Sequence, residues 1–233
     1  ANADTVSATE AGGTANGTAG TNPTSNLLTN DTLGVGATAG LSVVGAKTAD
    51  VAAVTSLSTG SVSYNGTNYD AKVAGKYGDL YLKADGTYLY VVNNALDAVQ
   101  ALKTGDTLAE TFQYKITNGT GFDWCTVTLT LNGAYDTPVA VNDVNRAIIG
   151  QYVPVGNVLP NDTDVDGDSL SVTTFAVDTD GDGAQEVFLA GATANIAGVG
   201  SLVLNSDGSF TFTPAANYNG TVPVVTYTVT DGN

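Results

Sequence analysis

The chain has 233 residues and carries seven Lys and Arg against 23 Asp and Glu, a formal net charge of −16. That balance argues against nucleic acid and anionic membranes as partners and for divalent cations as the counter-charge. Charged residues make up 13% and apolar residues 42%, which excludes a disordered acidic tail, and a chain without Met or His but with 28 Gly favours short strands and tight turns.

The first stretch, "ANADTVSATEAGG", has neither the basic start nor the apolar core of a signal peptide. No apolar run along the chain approaches membrane-spanning length, so no membrane insertion is expected. "GDLYLKADGTYLYV" (78–91) reads as a hairpin. Leu80 and Leu82 alternate with their neighbours, Asp85-Gly86 makes the turn, and Tyr88 and Tyr90 alternate on the return strand. "NALDAVQALKT" (94–104) spaces Leu96, Val99 and Leu102 by three and predicts a short helix. Phe112, Tyr114 and Ile116 alternate in "FQYKITNGT", and Cys125, Val127, Leu129 and Leu131 share one face of "CTVTLTL". Cys125 is the single cysteine, so no intramolecular disulfide is possible. With no histidine to activate it, it reads as a small buried apolar residue.

The order then repeats. "SNLLTNDT" (25–32) returns as "GNVLPNDT" (156–163), "GDLYLKADGTYLYV" as "GSLVLNSDGSFTFT" (200–213), and "FQYKITNGT" as "VTYTVTDGN" (225–233). In the second copy Leu202, Leu204, Phe210, Phe212, Val225, Tyr227 and Val229 take the apolar positions. Two domains are predicted, 1–137 and 138–233, joined through "GAYDTPVAVND", where Pro138 keeps the connector extended. The fold class is all-β: two tandem Ig-like or cadherin-like antiparallel β-sandwiches. The counterpart of Asn118 is Asp231, and nothing equivalent to "WCTVTLTL" follows it. The second sandwich is therefore expected to lack its last strand, as a piece cut at its C-terminus from a longer array.

The acidic residues concentrate in the second copy. "NDTDVDGD" sets Asp162, Asp164, Asp166 and Asp168 at every second position. Neighbouring carboxylates ~4 Å apart repel by about 1 kcal/mol in water and about 4 at an effective dielectric of 20, so the loop either stays fully solvated or holds a cation, and a cation is expected. "DTDGDGAQE" offers Asp178, Asp180, Asp182 and Glu186 at positions 1, 3, 5 and 9, with Gly181 and Gly183 letting the backbone curl. The opening matches an EF-hand loop; position 12 is Leu189, so Glu186 stands in for the usual glutamate. Both loops call for Ca²⁺. In such a sandwich the loop 161–168, the start of the first strand at Asn142-Asp143 and the loop at Asp231 cluster at one pole. Asp136, taken as the end of domain 1, is expected to join them, with the ions bridging the domains. The corresponding pole of domain 1 offers Asp4, Glu10, Asn30, Asp31 and Asn118 without an aspartate ladder, and weak Ca²⁺ binding or none is expected there. Six Asn-x-Thr sequons, four of them Asn-Gly-Thr, read as turn chemistry.

"EAGGTANGTAGTNPTSNLLTND", "GKYGDLYLKADGTYLYVVNNALDAVQAL" and "LAETFQYKITNGTG" resemble the VCBS repeat of large RTX-type bacterial surface adhesins. "PVAVNDV", "GNVLPNDTDVDGDSLSV" and "GSFTFTPAANYNGTVPVVTYTVTDGN" resemble the related cadherin-like repeats. The resemblance implies long tandem arrays, Ca²⁺ binding, neighbouring repeats as partners, and a secreted or cell-surface spacer that holds an adhesive tip away from the cell in attachment or biofilm formation. Two stretches depart from the pattern: "NDTLGVGATAG", where an acidic loop is expected, and "NRAIIGQYVPV", where an acidic start to the first strand is common. Three functions stay open. The first is an extender module; the second is a filament subunit that exchanges strands between copies. The third is a sugar-binding or catalytic domain, weakest as an enzyme because the acids sit at Ca²⁺-loop spacing.

Overall fold

Alternating apolar and polar side chains, interrupted by Gly- and Asn-rich turns, give short strands in both halves of the chain. The computed structural model describes residues 1–144 and 155–233. The chain divides into two units, Ala1–Tyr135 and Asp136–Asn233. The departure expected at "NRAIIGQYVPV" lies almost wholly outside the described residues.

Unit 1 contains β1 (Asp4–Thr9), β2 (Thr24–Asn26), β3 (Ser42–Thr48), β4 (Thr55–Ser56), β5 (Val62–Tyr64), β6 (Thr67–Tyr69), β7 (Ala71–Ala74), β8 (Gly78–Leu82), β9 (Thr87–Val92), β10 (Thr107–Thr117) and β11 (Phe122–Asn132). One sheet runs β1-β11-β10-β3-β4 and a second β2-β9-β8-β7, with β5 and β6 as a separate hairpin. The long pair β10–β11 is antiparallel, from Thr107 opposite Asn132 to Thr117 opposite Phe122. In contrast to the antiparallel expectation, β1 adds to β11 in parallel, Asp4 opposite Val127. The rest of the unit supplies the crossover that a parallel neighbour requires. The inward residues of both sheets form one core, in which Tyr90, Phe112, Tyr114, Leu80, Leu82, Leu129 and Leu131 are almost fully buried. Each such side chain contributes about 1.5–3 kcal/mol by leaving water. Cys125 is buried among them.

The helix shrinks to one turn, α1 (Asp97–Gln100), because Leu96 at its start is extended and supplies no side-chain cap. Val99 and Leu102 are nevertheless buried, and Leu96 packs against the same core. Their spacing carries a core contact rather than a longer helix.

Unit 2 contains β12 (Val155–Asn157), β13 (Ser171–Val177), β14 (Glu186–Leu189), β15 (Thr193–Ile196), β16 (Gly200–Leu204), β17 (Ser209–Pro214) and β18 (Val225–Thr230). Its sheets run β12-β17-β16-β15 and β14-β13-β18. Val172, Phe175, Val177, Leu202, Leu204 and Phe212 are buried in its core. Among the described residues β18 ends its sheet, whereas its counterpart β10 is flanked by β11. Val225, Tyr227 and Val229 are accordingly half-exposed where Phe112, Tyr114 and Ile116 are buried.

The repeat is visible atom by atom. In unit 1, Asn26 Oδ1 accepts from the Leu28 N–H at 2.8 Å, Asn26 Nδ2 donates to the Asp85 carbonyl at 2.8 Å, and the Leu27 N–H donates to the Gly86 carbonyl at 3.0 Å. In unit 2, Asn157, Leu159, Asp207, Val158 and Gly208 repeat these bonds at 2.9, 2.8 and 3.0 Å. The hairpin glycines have φ of 87° and 77°. A Cβ on Gly86 would lie 2.6 Å from Asn26 Oδ1, and one on Gly208 2.5 Å from Asn157 Oδ1. Asp-Gly is required here by both conformation and space.

Candidate metal centre

Strand alternation on β18 turns Tyr227 inward with Val225. Its hydroxyl reaches Asp143 Oδ2 at 3.0 Å and the Asp162 carboxylate at 3.2 and 3.3 Å, and lies 3.2 Å from the Val158 carbonyl. Burial, together with the two carboxylates, pushes the phenol above its ordinary value, so it remains a donor. The segment from Asp136 to Asp143 is stitched to the acidic loop along its length. Val139 and Thr163 exchange backbone bonds at 2.8 and 3.1 Å. The Val141 N–H donates to Asp162 Oδ1 at 2.7 Å, and Asn161 Nδ2 donates to the Val141 carbonyl at 3.0 Å.

At the start of that segment the Asp136 N–H donates to Asp166 Oδ2 at 2.9 Å. Asp136, Asp162 and Asp166 are 4%, 8% and 7% exposed. Asp136 Oδ2 and Asp164 Oδ2 are buried without a hydrogen-bond partner. Burial raises the Asp136 carboxyl above its ordinary value, and the charges of Asp166 and Asp164 add to the rise. Carboxylate oxygens of Asp164, Asp166 and Asp168 lie within 4.8 Å of one another. Oxygens on opposite sides of a Ca²⁺ stand about 5 Å apart when each is 2.3–2.6 Å from the ion, so these oxygens are at the span one ion sets. Asp168 is fixed from both sides: its N–H donates to Asp164 Oδ1 at 3.1 Å, and its Oδ2 accepts from Asn233 Nδ2 at 3.2 Å.

The second loop brings oxygens of Asp178, Asp180 and Glu186 within the same span. Here the backbone already serves the carboxylates. Asp178 accepts from the Gly181 N–H at 2.6 Å and the Gly183 N–H at 3.0 Å, and these bonds hold its carboxyl below its ordinary value. Glu186 accepts from the Thr179 N–H and hydroxyl at 2.8 and 2.5 Å and is lowered for the same reason. Asp182 is outside the group and accepts from the Ala184 N–H at 2.8 Å.

The sequence-predicted residues thus fall into three sets. Asp164, Asp166 and Asp168 converge, with the Asp136 carboxyl feeling the charge of the first two. Asp143 and Asp162 gather on Tyr227. Asp178, Asp180 and Glu186 converge separately. Asp231 accepts from the Asn233 N–H at 2.9 Å, and it is Asn233 that touches the ladder. Tyr227 and Asn233 were not singled out from the sequence. The matched positions of Tyr114 and Tyr227 were the available signal for the first; nothing local marked the second.

In unit 1, Tyr114 donates to Asp4 Oδ2 at 2.6 Å, and burial raises that carboxyl. The Asn2 N–H donates to Asp31 Oδ1, and Asn30 Nδ2 to the Ala3 carbonyl at 3.2 Å. Glu10 does not join them. It lies beyond the far end of β1, 1% exposed, and its Oε1 accepts from the Ala134 N–H at 3.0 Å. Asn118 serves its own turn, accepting from the Thr120 and Gly121 N–H groups. Among the described residues, both three-acid groups lie in unit 2.

Residues 135–233 match the bacterial cadherin-like domain. Over 175 residues the chain is 30% identical to the calcium-binding lectin RapA2 of Rhizobium johnstonii, an alignment that spans 72% of this chain and 71% of the relative. Both names refer to binding or adhesion, and neither to a reaction.

Proposed function

We propose, for a chain that belongs to one family with the calcium-binding lectin RapA2 and whose second unit is a bacterial cadherin-like domain, that it is a Ca²⁺-stabilised extender module of a secreted bacterial surface adhesin. One observation carries the reading: Asp136 is a nearly buried acid with an unpartnered oxygen, beside Asp164 and Asp166. A buried carboxylate facing like charge destabilises the fold unless a cation or a proton neutralises it. All the ligand atoms on offer are hard oxygens, the chemistry Ca²⁺ takes in six- to eight-fold coordination. Asp136, Asp164, Asp166 and Asp168 would hold one ion, and Asp178, Asp180 and Glu186 a second, weaker one whose acids the backbone already stabilises. Asp143 and Asp162 meet at Tyr227, which ties the segment 136–143 to the acidic loop. The first unit is read as a VCBS repeat.

Calorimetric titration with Ca²⁺ tests this. The Asp164→Asn/Asp166→Asn variant should lose the tighter event, and Asp178→Asn/Glu186→Gln the weaker one. Unchanged heats in the first variant would remove the ladder site. A second reading, saccharide binding as the relative's name describes, is favoured by an exposed aromatic face on unit 1.

A further inference from the structure

We infer that copies of this chain dock head to tail: the outer face of the β3–β10–β11 sheet in unit 1 of one copy meets the outer face of β14 and the acidic loop 178–186 in unit 2 of the next. The contact goes beyond both readings above and needs neither an ion nor a sugar.

The first face is set by strand parity. Cys125 and Val127 point into the core, so β11 sends Phe122 and Trp124 outward and β10 sends out Lys115. Trp124 is directly opposite Lys115. Phe122 is 66% exposed and Trp124 40%, and neither ring is needed to fill the core. The Lys115 ammonium stands 4.1 Å from the Phe122 ring centre, and the Lys47 ammonium 5.6 Å from that of Trp124. Among the described residues neither lysine has a carboxylate within ion-pair distance.

The second face follows from the same rule in unit 2. Phe188 turns inward, where its ring stacks on Phe175 at 5.4 Å. Val187 and Leu189 therefore face out, 71% and 72% exposed. Their cross-strand neighbours, Ala176 and Thr174, are small, so both apolar side chains stand proud of the sheet. The acidic loop adjoins them, with Asp180 and Asp182 exposed. Among the described residues neither aspartate has a cation within ion-pair distance.

The two faces match in spacing and oppose in charge. Each carries two apolar side chains two residues apart on one strand, about 6.5–7 Å at the rise of a strand. One pair is bordered by lysines without counter-ions, the other by aspartates without counter-ions. Every lysine of the chain lies in unit 1, whereas unit 2 has twelve acids and one arginine. A second copy is thus a partner that always brings the complementary face. Because the faces differ, each docked pair leaves one of each kind free, and association runs on or closes into a ring. The patches are small, and copies of net charge −16 repel at long range, which salt screens beyond about 8 Å at physiological strength. The contact therefore belongs to the weak, transient class.

Sedimentation of the chain in EGTA at physiological salt, from micromolar to millimolar, should show the average mass rising with concentration. The fluorescence of Trp124, the single tryptophan, should shift to the blue in step as its ring leaves water. A charge swap identifies the two surfaces. Lys47→Glu/Lys115→Glu and Asp180→Lys/Asp182→Lys should each weaken self-association ten-fold or more, with the melting of both units kept to show the folds intact. An equimolar mixture of these two variants should regain it, because each acidic face then meets a basic one. Val187→Thr/Leu189→Thr, confined to an exposed face, should weaken it as well. A mass that stays that of one chain at every concentration overturns the proposal. So does association that leaves Trp124 unshifted, survives the variants, or fails to return in the mixture. Ca²⁺ is absent throughout, so failure here leaves the calorimetric test of the metal sites standing on its own.

Discussion

The two units share a frame and differ in how they carry charge. Each has a tyrosine on the same strand of the sandwich, Tyr114 or Tyr227, whose hydroxyl reaches an early aspartate, Asp4 or Asp143. Each has a second aspartate, Asp31 or Asp162, that accepts a backbone N–H from the segment holding the first. Beyond that point they part. Unit 1 has eleven acids and six lysines and continues after Asp31 into "TLGVGATAG"; unit 2 has twelve acids and one arginine and continues after Asp162 into the ladder Asp164, Asp166, Asp168. One hydrogen-bonded corner thus supports either a neutral loop or an acidic loop whose carboxylates could hold a cation. The corner fixes where the loop starts; the loop residues decide whether acidic oxygens converge there.

The largest expected effect separates the units by Ca²⁺. For an ion bound at ~10⁻⁴ M, as at many extracellular sites, 10 mM Ca²⁺ contributes about 2.7 kcal/mol to the unit that binds it. For a domain of this size that is roughly 10–20 °C in melting temperature. Calorimetric scans in EGTA and in Ca²⁺ should show the transition of unit 2 moving and that of unit 1 nearly still. A common shift in both would mean the difference in acid content has no consequence for ion binding.

A second experiment asks whether the shared frame is equivalent. Gly86→Ala and Gly208→Ala force a side chain into positive φ and against Asn26 or Asn157. Each should cost about 2 kcal/mol of its own unit, in EGTA as in Ca²⁺. Markedly unequal losses, measured as separate shifts of the two transitions, would show that the hairpins are alike in shape but not in role.

The smallest effect is with pH. The folded Asp136 carboxyl lies above its unfolded value, so without Ca²⁺ its contribution is favourable at low pH and is lost as pH rises through the folded value. In EGTA, acidification from neutrality toward the carboxylate range should therefore stabilise unit 2 slightly, by about 1 kcal/mol or less. Asp136→Asn should remove that gain. In Ca²⁺ the sign reverses, because protons compete with the ion for the same oxygens. Acid destabilisation of unit 2 in EGTA would argue that the lowered acids, Asp178, Glu186 and Asp207, outweigh Asp136.

Much of this was legible in one dimension, because alternation and turn chemistry are local. The hairpins 78–91 and 200–213, the apolar faces of β10 and β11, and the acid spacing in both loops follow from residues two to nine apart. The all-β class follows from them. What needed the folded chain was every relation across a long separation. Residues 4 and 127 are neighbours only because β1 joins β11 in parallel. By sequence only Asp231 has a claim on the ladder, and the C-terminal turn gives the contact to Asn233 instead. Glu10 reads as part of an acidic pole, but β1 lies between it and Asp4, and its carboxylate meets the Ala134 N–H instead. The exposure of Trp124 is a matter of parity: Cys125 and Val127 must fill the core, so the ring one position earlier lies on the outer face, beside Lys47 and Lys115. Local pattern set which residues alternate and which loops are acidic; packing decided which carboxylates lost their water and which aromatic rings kept it, because desolvation depends on everything that closes over a group.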